Sequence, residues 1–371
     1  MTLLHDEFDT RKGTARSHAR TEEAKRRCGT VQGIVLAGVH AWGDCSLERV
    51  TSRPLVPVAG RPLVWHPLHW LSAGGVRSAT VCANGDTGAL RHALGDAVGL
   101  KLSLGYYEDR MPRGPAGCAK DAAFGGDAEL LIVVDGTVVP RIDLAELLEA
   151  HVRAGADVTV VATATGGRTG SNGAPLEPVG IYVLSRAVLD HIGDKGYQDI
   201  KERLIPALSR ADKRVRVHEV QGGSVPRVID SESYLAVSAW AVQSIVDGNS
   251  LPPGYIRRAG AWIHESATVA SSAQLLGPVL IGPETVVGER AMLVGPAAAG
   301  AGCVIGERSV VCRTVLWDRC RLGAGSIVDQ CILTDEADVE PDLVVRRTVC
   351  FAPQRRGWTF LGRLNLRRDV R

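Results

Sequence analysis

Gly38 follows directly on Val31-Gln-Gly-Ile-Val-Leu-Ala37, an apolar run that reads as a buried strand. A glycine at such a strand end lets backbone N–H groups approach a phosphate, because no Cβ stands in the way. Further along, Arg53 supplies a permanent cation whose planar fork fits phosphate oxygens. Other chemistries are poorly served. Nine cysteines occur in the chain, but no two are spaced Cys-x-x-Cys, which argues against a zinc site. Cys45 and Cys118 lack any motif that would activate a thiol and read as small packing residues.

The elements that must hold Gly38 and Arg53 alternate. Ala79-Thr-Val-Cys-Ala83, Glu129-Leu-Leu-Ile-Val-Val134, Val158-Thr-Val-Val-Ala162 and Gly180-Ile-Tyr-Val-Leu184 read as interior parallel strands. Helices are predicted around Leu63–Ser72, Leu144–Ala154, Asp199–Leu208 and Ser231–Val246. That rhythm predicts a doubly wound, Rossmann-like α/β sheet over residues 30–247, with ligands at the C-terminal strand ends. Asp247-Gly-Asn-Ser-Leu-Pro-Pro-Gly254 is turn-rich, so 248–257 is expected to be a linker.

Beyond the linker the period changes. Apolar residues recur at every sixth position from Ile263 through Val269, Leu275, Ile281, Val287, Leu293, Ala299, Ile305 and Val311 to Trp317. Small or β-branched residues such as Ala267, Thr285 and Cys303 stand four places after. Neither a helix nor a simple strand has this period. A parallel β-helix of three short sides per turn does, and it is predicted over 258–350. The reading places five-residue steps at Trp317–Leu322 and Leu322–Ile327, then resumes six at Leu333, Val339 and Val345. Coil acyltransferases use a histidine as general base. His264 is the only histidine after residue 218 and sits near the linker, which argues against that activity.

Composition sets outer bounds. The 371 residues suffice for two cores, and 45% hydrophobic with 23% charged residues is ordinary for a soluble protein. A formal charge of +2 gives no reason to expect nucleic acid. The cysteines read as reduced thiols of a cytoplasmic protein. Residues 1–29 are charged and aperiodic, an expected disordered or loose arm rather than a signal peptide. The tail 351–371 mixes arginines with Trp358, Phe360 and leucines. It reads as a cap over the open coil end; contact with anionic lipid or an acidic partner is the less favoured reading.

Taken in order, these segments resemble the sugar-1-phosphate nucleotidyltransferases (NDP-sugar pyrophosphorylases), which join a nucleoside triphosphate to a sugar phosphate and release pyrophosphate. The family opening runs Leu-Ala-Gly-Gly-x-Gly-Thr-Arg-Leu, then Pro-Lys-Pro and Pro-Val-x-Gly-x-Pro. Leu36 through Ser52-Arg-Pro-Leu-Val-Pro-Val-Ala-Gly-Arg-Pro-Leu63 is similar, without insertion. Glu108 through Pro112-Arg-Gly-Pro-Ala-Gly117 resembles the base-binding segment, and Val134-Asp-Gly-Thr137 with His151 resembles the metal-binding strand. Leu204-Ile-Pro-Ala-Leu208 and Glu232-Ser-Tyr234 match late landmarks. Many members carry a C-terminal hexapeptide coil, and the resemblance implies that it is left-handed.

The resemblance also shows what has been replaced. Val39, Ala41, Trp42 and Gly43 stand where the family has Gly, Gly, Thr and the signature Arg. Side chains at 39 and 41 obstruct backbone approach, and Trp42 is bulky enough to fill part of a nucleotide site. The two metal-binding aspartates align with Thr137 and Arg227, and the hairpin lysine that meets the sugar phosphate has no counterpart, Arg168 being poorly placed. Mg²⁺ prefers hard anionic oxygens, so Asp135 and Asp230 are the substitute ligands to consider if the protein is active. Gly38, Arg53, Glu108, Gly114, Ala116 and Gly117 remain as the nucleotide-binding set, although Pro115 removes one N–H.

Two expectations follow. In the leading one, transferase chemistry is impaired, and a nucleotide- or nucleotide-sugar-binding protein of sugar-nucleotide or surface-polysaccharide metabolism regulates or scaffolds an active partner. It forms a homo-oligomer or pairs with an active homologue. In the alternative, the enzyme works with rearranged metal and phosphate ligands, Arg53 serving catalysis.

Overall fold

A computed structural model describes residues 29–353 except 39–41, 44, 86, 96–98, 165–174, 249–253 and 259. Residues 1–28 of the expected arm, half of the linker and most of the tail, together with Val39, Ala41 and Arg168, lie outside the described residues. The chain divides into two compact units, Met1–Ala241 and Val242–Arg371.

In the first unit the apolar runs become strands β1 (Val31–Leu36), a short hairpin β2 (Pro57–Val58) and β3 (Arg61–Pro62), β4 (Ser78–Ala83) and β5 (Ser103–Glu108). They continue with β6 (Leu130–Asp135), β7 (Val158–Ala164), β8 (Leu176–Ser185) and β9 (Val215–Val220). Seven of them form one sheet in the order β5-β4-β1-β6-β8-β7-β9. Helices α1 (Trp65–Ala73), α2 (Gly88–Leu94), α3 (Gly114–Ala122), α4 (Leu144–Arg153), α5 (Ile205–Arg210) and α6 (Ser231–Gly248) alternate with the strands.

Successive strand residues point to opposite faces, and here both faces are covered. Val35, Val81, Ile132 and Val134 pack with Leu68 and Leu71 of α1 and Leu147 and Leu148 of α4. Their neighbours Ile34, Leu131 and Val133 pack with Ala116 and Ala119 of α3 and Leu208 of α5. This is the doubly wound, Rossmann-like architecture.

One expected direction is corrected. The strand containing Gly180–Leu184 is antiparallel to both neighbours, β6 and β7. Its apolar interior is that of a strand buried on both faces, which parallel and antiparallel strands share, so the run alone could not give direction.

In the second unit seven strands from Tyr255–Arg258 to Val349–Cys350 form one sheet, and two further sheets have five strands each. After the first antiparallel pair every pairing joins one turn to the next in parallel, as a β-helix requires. Ile263, Ile281, Val287, Leu293, Ala299, Ile305 and Val311 line its core, with Ala291 and Cys303 buried at the corners.

The expected inward register fails at two points. Leu316 and Val328, not Trp317 and Ile327, join the core. Ala299 pairs with Leu316, Val311 with Val328 and Leu316 with Leu333, so short steps fall between Val311 and Leu316 and between Val328 and Leu333. The corner changes at the same places. Gly277-Pro278 and Gly295-Pro296 give way to Arg313-Thr314, Gln330-Cys331 and Arg347-Thr348, and the side after it pairs over two residues instead of three.

Candidate functional site

The C-terminal ends of β1, β4, β5 and β6 lie along one edge of the sheet, because these strands are mutually parallel. Ala37 N–H donates to Cys82 O at 2.7 Å and Gly136 N–H to Leu36 O at 2.8 Å, so Gly38 and Asp135 leave adjacent strands side by side. A Cβ on Gly136 would stand 3.0 Å from Leu36 O. This tight crossing sets the distance between the two strand ends.

Asp135 is fully engaged. Its Oδ1 accepts from Thr137 N at 2.9 Å and from Thr137 Oγ1 at 2.7 Å. Its Oδ2 accepts from Arg227 Nη2 in an ion pair. Backbone pairing fixes the arginine there: Val228 N–H donates to Thr137 O at 3.0 Å and Val139 N–H to Pro226 O at 2.9 Å. Thus the two positions that the resemblance assigns to metal-binding aspartates do meet in space, but as a threonine and an arginine. Gly180 makes room for the pair. Its φ of +86° favours glycine, and a Cβ would lie 3.0 Å from both Arg227 Nη2 and Asp135 Cβ.

Asp230 serves a helix end. Its Oδ1 accepts from Ser233 N at 2.8 Å and Ser233 Oγ at 2.6 Å, while Ser233 Oγ accepts from Asp230 N at 2.9 Å. That reciprocal arrangement caps α6. The Ser233 hydrogen bonds hold the Asp230 carboxyl below its ordinary range, and the nearby Arg53 adds to this. Among the described residues no group of three or more His, Cys, Asp or Glu side chains could hold a metal ion. The residues present do not fit Mg²⁺: one candidate carboxylate is bound to a guanidinium and the other to a helix terminus.

Arg53 opens a short helical turn, Arg53–Leu55, with its guanidinium carbon 5.1 Å from the Trp42 ring centroid. Such a contact is worth on the order of 1 kcal/mol. Trp42 is 5% exposed, and its backbone N–H donates to Glu48 Oε2 at 3.2 Å. The indole therefore covers one face of the cation that sequence reasoning offered to a phosphate. Gly43, next to it, has φ of +67° and open space where a Cβ would be.

Glu108, at the end of β5, accepts from Thr87 Oγ1 at 3.0 Å and Thr87 N at 3.4 Å. These bonds lower its pKa, the Thr87 hydroxyl contributing most. Gly114, Ala116 and Gly117 are not an open platform but the first turns of α3, with Ala116 fully buried. Ala116 N–H donates to Gln198 O at 3.0 Å, and a Cβ on Gly114 would sit 2.7 Å from that oxygen. One on Gly117 would meet Arg113 Cβ at 2.7 Å. Their smallness admits the chain's own Gln198 segment and the Arg113 side chain. Pro115 costs nothing in the first turn, where its N–H would have no helical partner.

Sequence reasoning missed Gly180 as a spacer, Gln198 and Thr87. Only Gly180 carried a signal, a glycine opening an otherwise apolar strand. His151, matched to a family landmark, is 2% exposed and bonds Thr159 Oγ1 through Nδ1 at 2.8 Å. Burial lowers its pKa, as expected of a neutral core histidine. It also lines a cavity of about 400 Å³ with Glu129 and Ser185, at the end of β6 remote from Asp135.

The model of the Nucleotidyl transferase family matches residues 33–170, from β1 past β7. The chain is 24% identical over 279 residues to "Mannose-1-phosphate guanylyltransferase" of Mycobacterium tuberculosis, covering 70% of this chain and 77% of that one. These matches support a sugar-1-phosphate nucleotidyltransferase family for the chain. It is also 34% identical over 87 residues to "Glucose-1-phosphate thymidylyltransferase" of Mycolicibacterium smegmatis, covering 23% of this chain and 30% of that one. To "Mannose-1-phosphate guanylyltransferase 1" of Arabidopsis thaliana it is 25% identical over 137 residues, covering 36% and 38%. No helix among the described residues is long and apolar enough to cross a membrane.

Proposed function

We propose that this nucleotidyltransferase-family chain binds a nucleotide or nucleotide sugar but has lost most of its transfer chemistry. It serves sugar-nucleotide or surface-polysaccharide metabolism in the cytoplasm as a regulatory or scaffold subunit, self-associating or pairing with an active homologue through the coil.

One observation carries this reading: Asp135 is bound to Arg227 at the edge where the parallel strands end. Nucleotidyl transfer of this kind relies on a divalent cation to neutralise charge gathering on the transferred phosphoryl oxygens. A guanidinium on the carboxylate opposes a second cation there. Removal of a single stabilising group from such a centre commonly costs about 3 kcal/mol, or roughly 10²–10³ in rate. This chain lacks the signature arginine, both metal aspartates and the hairpin lysine. Such losses are not additive, yet together they leave little activity.

The test is pyrophosphate release by the purified full chain with Mg²⁺, each nucleoside triphosphate, and mannose 1-phosphate or glucose 1-phosphate. Turnover well below about 1 s⁻¹ is expected. Turnover at or above that value contradicts the reading.

A further inference from the structure

Three residues, Thr137, Val138 and Gly180, build the Asp135–Arg227 pair into the fold. Thr137 fills Oδ1 of the carboxylate through two hydrogen bonds, and Arg227 takes Oδ2. Pairing of Val138 with Arg227 holds the arginine's backbone against the end of β6. Gly180 supplies the space in which guanidinium and carboxylate meet. Removing any of these features would loosen the contact, so the arginine is not a surface side chain that happens to lie near an acid.

The guanidinium is only partly used. The Arg227 side chain is 37% exposed, and its Nε has no hydrogen-bond partner among the described residues. An arginine has five N–H donors in a fixed fork, and the bond to Asp135 uses Nη2. The Nε is buried, so a phosphate would meet the exposed part of the guanidinium.

On the reading that the site takes nucleotides, we propose that it binds the diphosphate bridge of a nucleotide sugar without any divalent cation. Arg227 supplies the positive charge that a metal would otherwise bring. Charge balance selects the ligand class. Each phosphate of a nucleotide sugar is esterified on both sides and keeps a single charge. A triphosphate ends in a phosphate that ionises further, and it normally carries Mg²⁺. A site whose arginine is already paired with Asp135 matches the less charged bridge. It offers nothing to the metal that accompanies the triphosphate.

The experiment measures binding to the full-length chain by calorimetry, with GDP-mannose and dTDP-glucose as probes and GTP and dTTP as comparisons. Each is run in Mg²⁺ and again in EDTA. At least one nucleotide sugar should bind with the same affinity, within about twofold, in both buffers, and at least about tenfold more tightly than its Mg²⁺-triphosphate. Arg227→Gln should weaken that binding by about tenfold or more, and Arg227→Lys should fall between. Circular dichroism of both variants shows whether they fold, and the wild-type comparison of buffers stands without them. Binding that disappears in EDTA overturns the inference and leaves the nucleotide reading intact. Equal affinity of wild type and folded Arg227→Gln also overturns it. Failure of every probe in both buffers overturns the inference and the nucleotide reading together.

Discussion

Asp135 and Asp230 carry the same side chain, yet their surroundings give them different tasks. The first is neutralised by a cation; the second accepts N–H and O–H donors at a helix start. Replacing an N-cap aspartate by alanine costs about 1 kcal/mol. Asp230→Ala should therefore lower chemical-denaturation stability by about that amount while leaving ligand affinity in EDTA and in Mg²⁺ unchanged. A Mg²⁺ effect lost specifically in this variant would show that the carboxylate is a ligand after all. Because its folded pKa is depressed, the cap contributes above its ordinary pKa and weakens as pH falls through the folded value. Residue identities such as Thr137 and Arg227 were readable in the sequence. The meeting of Arg227 with Asp135 was not, because the contact joins residues 92 apart.

Among the elements, α1 offers a second pH-dependent feature. His66 is half-buried beneath Trp65, its Nε2 lies 3.2 Å from Val58 O, and burial pushes its pKa from 6.5 down to about 4. His69 and Arg61 nearby also oppose its protonation. A folded pKa below the unfolded one means that the neutral ring contributes fully above pH 6.5 and loses that contribution as pH falls toward 4. His66→Gln keeps a donor for Val58 O without titrating. Its melting temperature should therefore fall less than wild type between those pH values; a parallel fall would rule out His66 as a source of acid sensitivity. Elements with long apolar runs, β1, β4 and β6, were legible because burial on both faces leaves a continuous signature. α3 was not read as a helix, since Gly114-Pro115-Ala-Gly117 presents breakers at positions that turn out to be its first turn. The direction of β8 depends on its neighbours. The register at Leu316 depends on the changed corner at Arg313-Thr314 just before it, which a count of sixes along the chain does not see.

At the scale of the molecule, family membership and local chemistry point to different expectations. The matched segment is similar to the Nucleotidyl transferase family, and the doubly wound sheet fits it. The candidate site holds an arginine on Asp135 and an indole over Arg53. A scaffold persists through packing of many apolar residues, whereas catalysis depends on a few charges held in place, so the second can vanish while the first survives. The most direct measurement is anomalous scattering from crystals of the full chain grown with Mn²⁺ and a nucleotide sugar. The account predicts bound nucleotide sugar, Arg227 still on Asp135, and no Mn²⁺ peak within coordination distance of that carboxylate. A Mn²⁺ ion on Asp135, with Arg227 displaced, would contradict it.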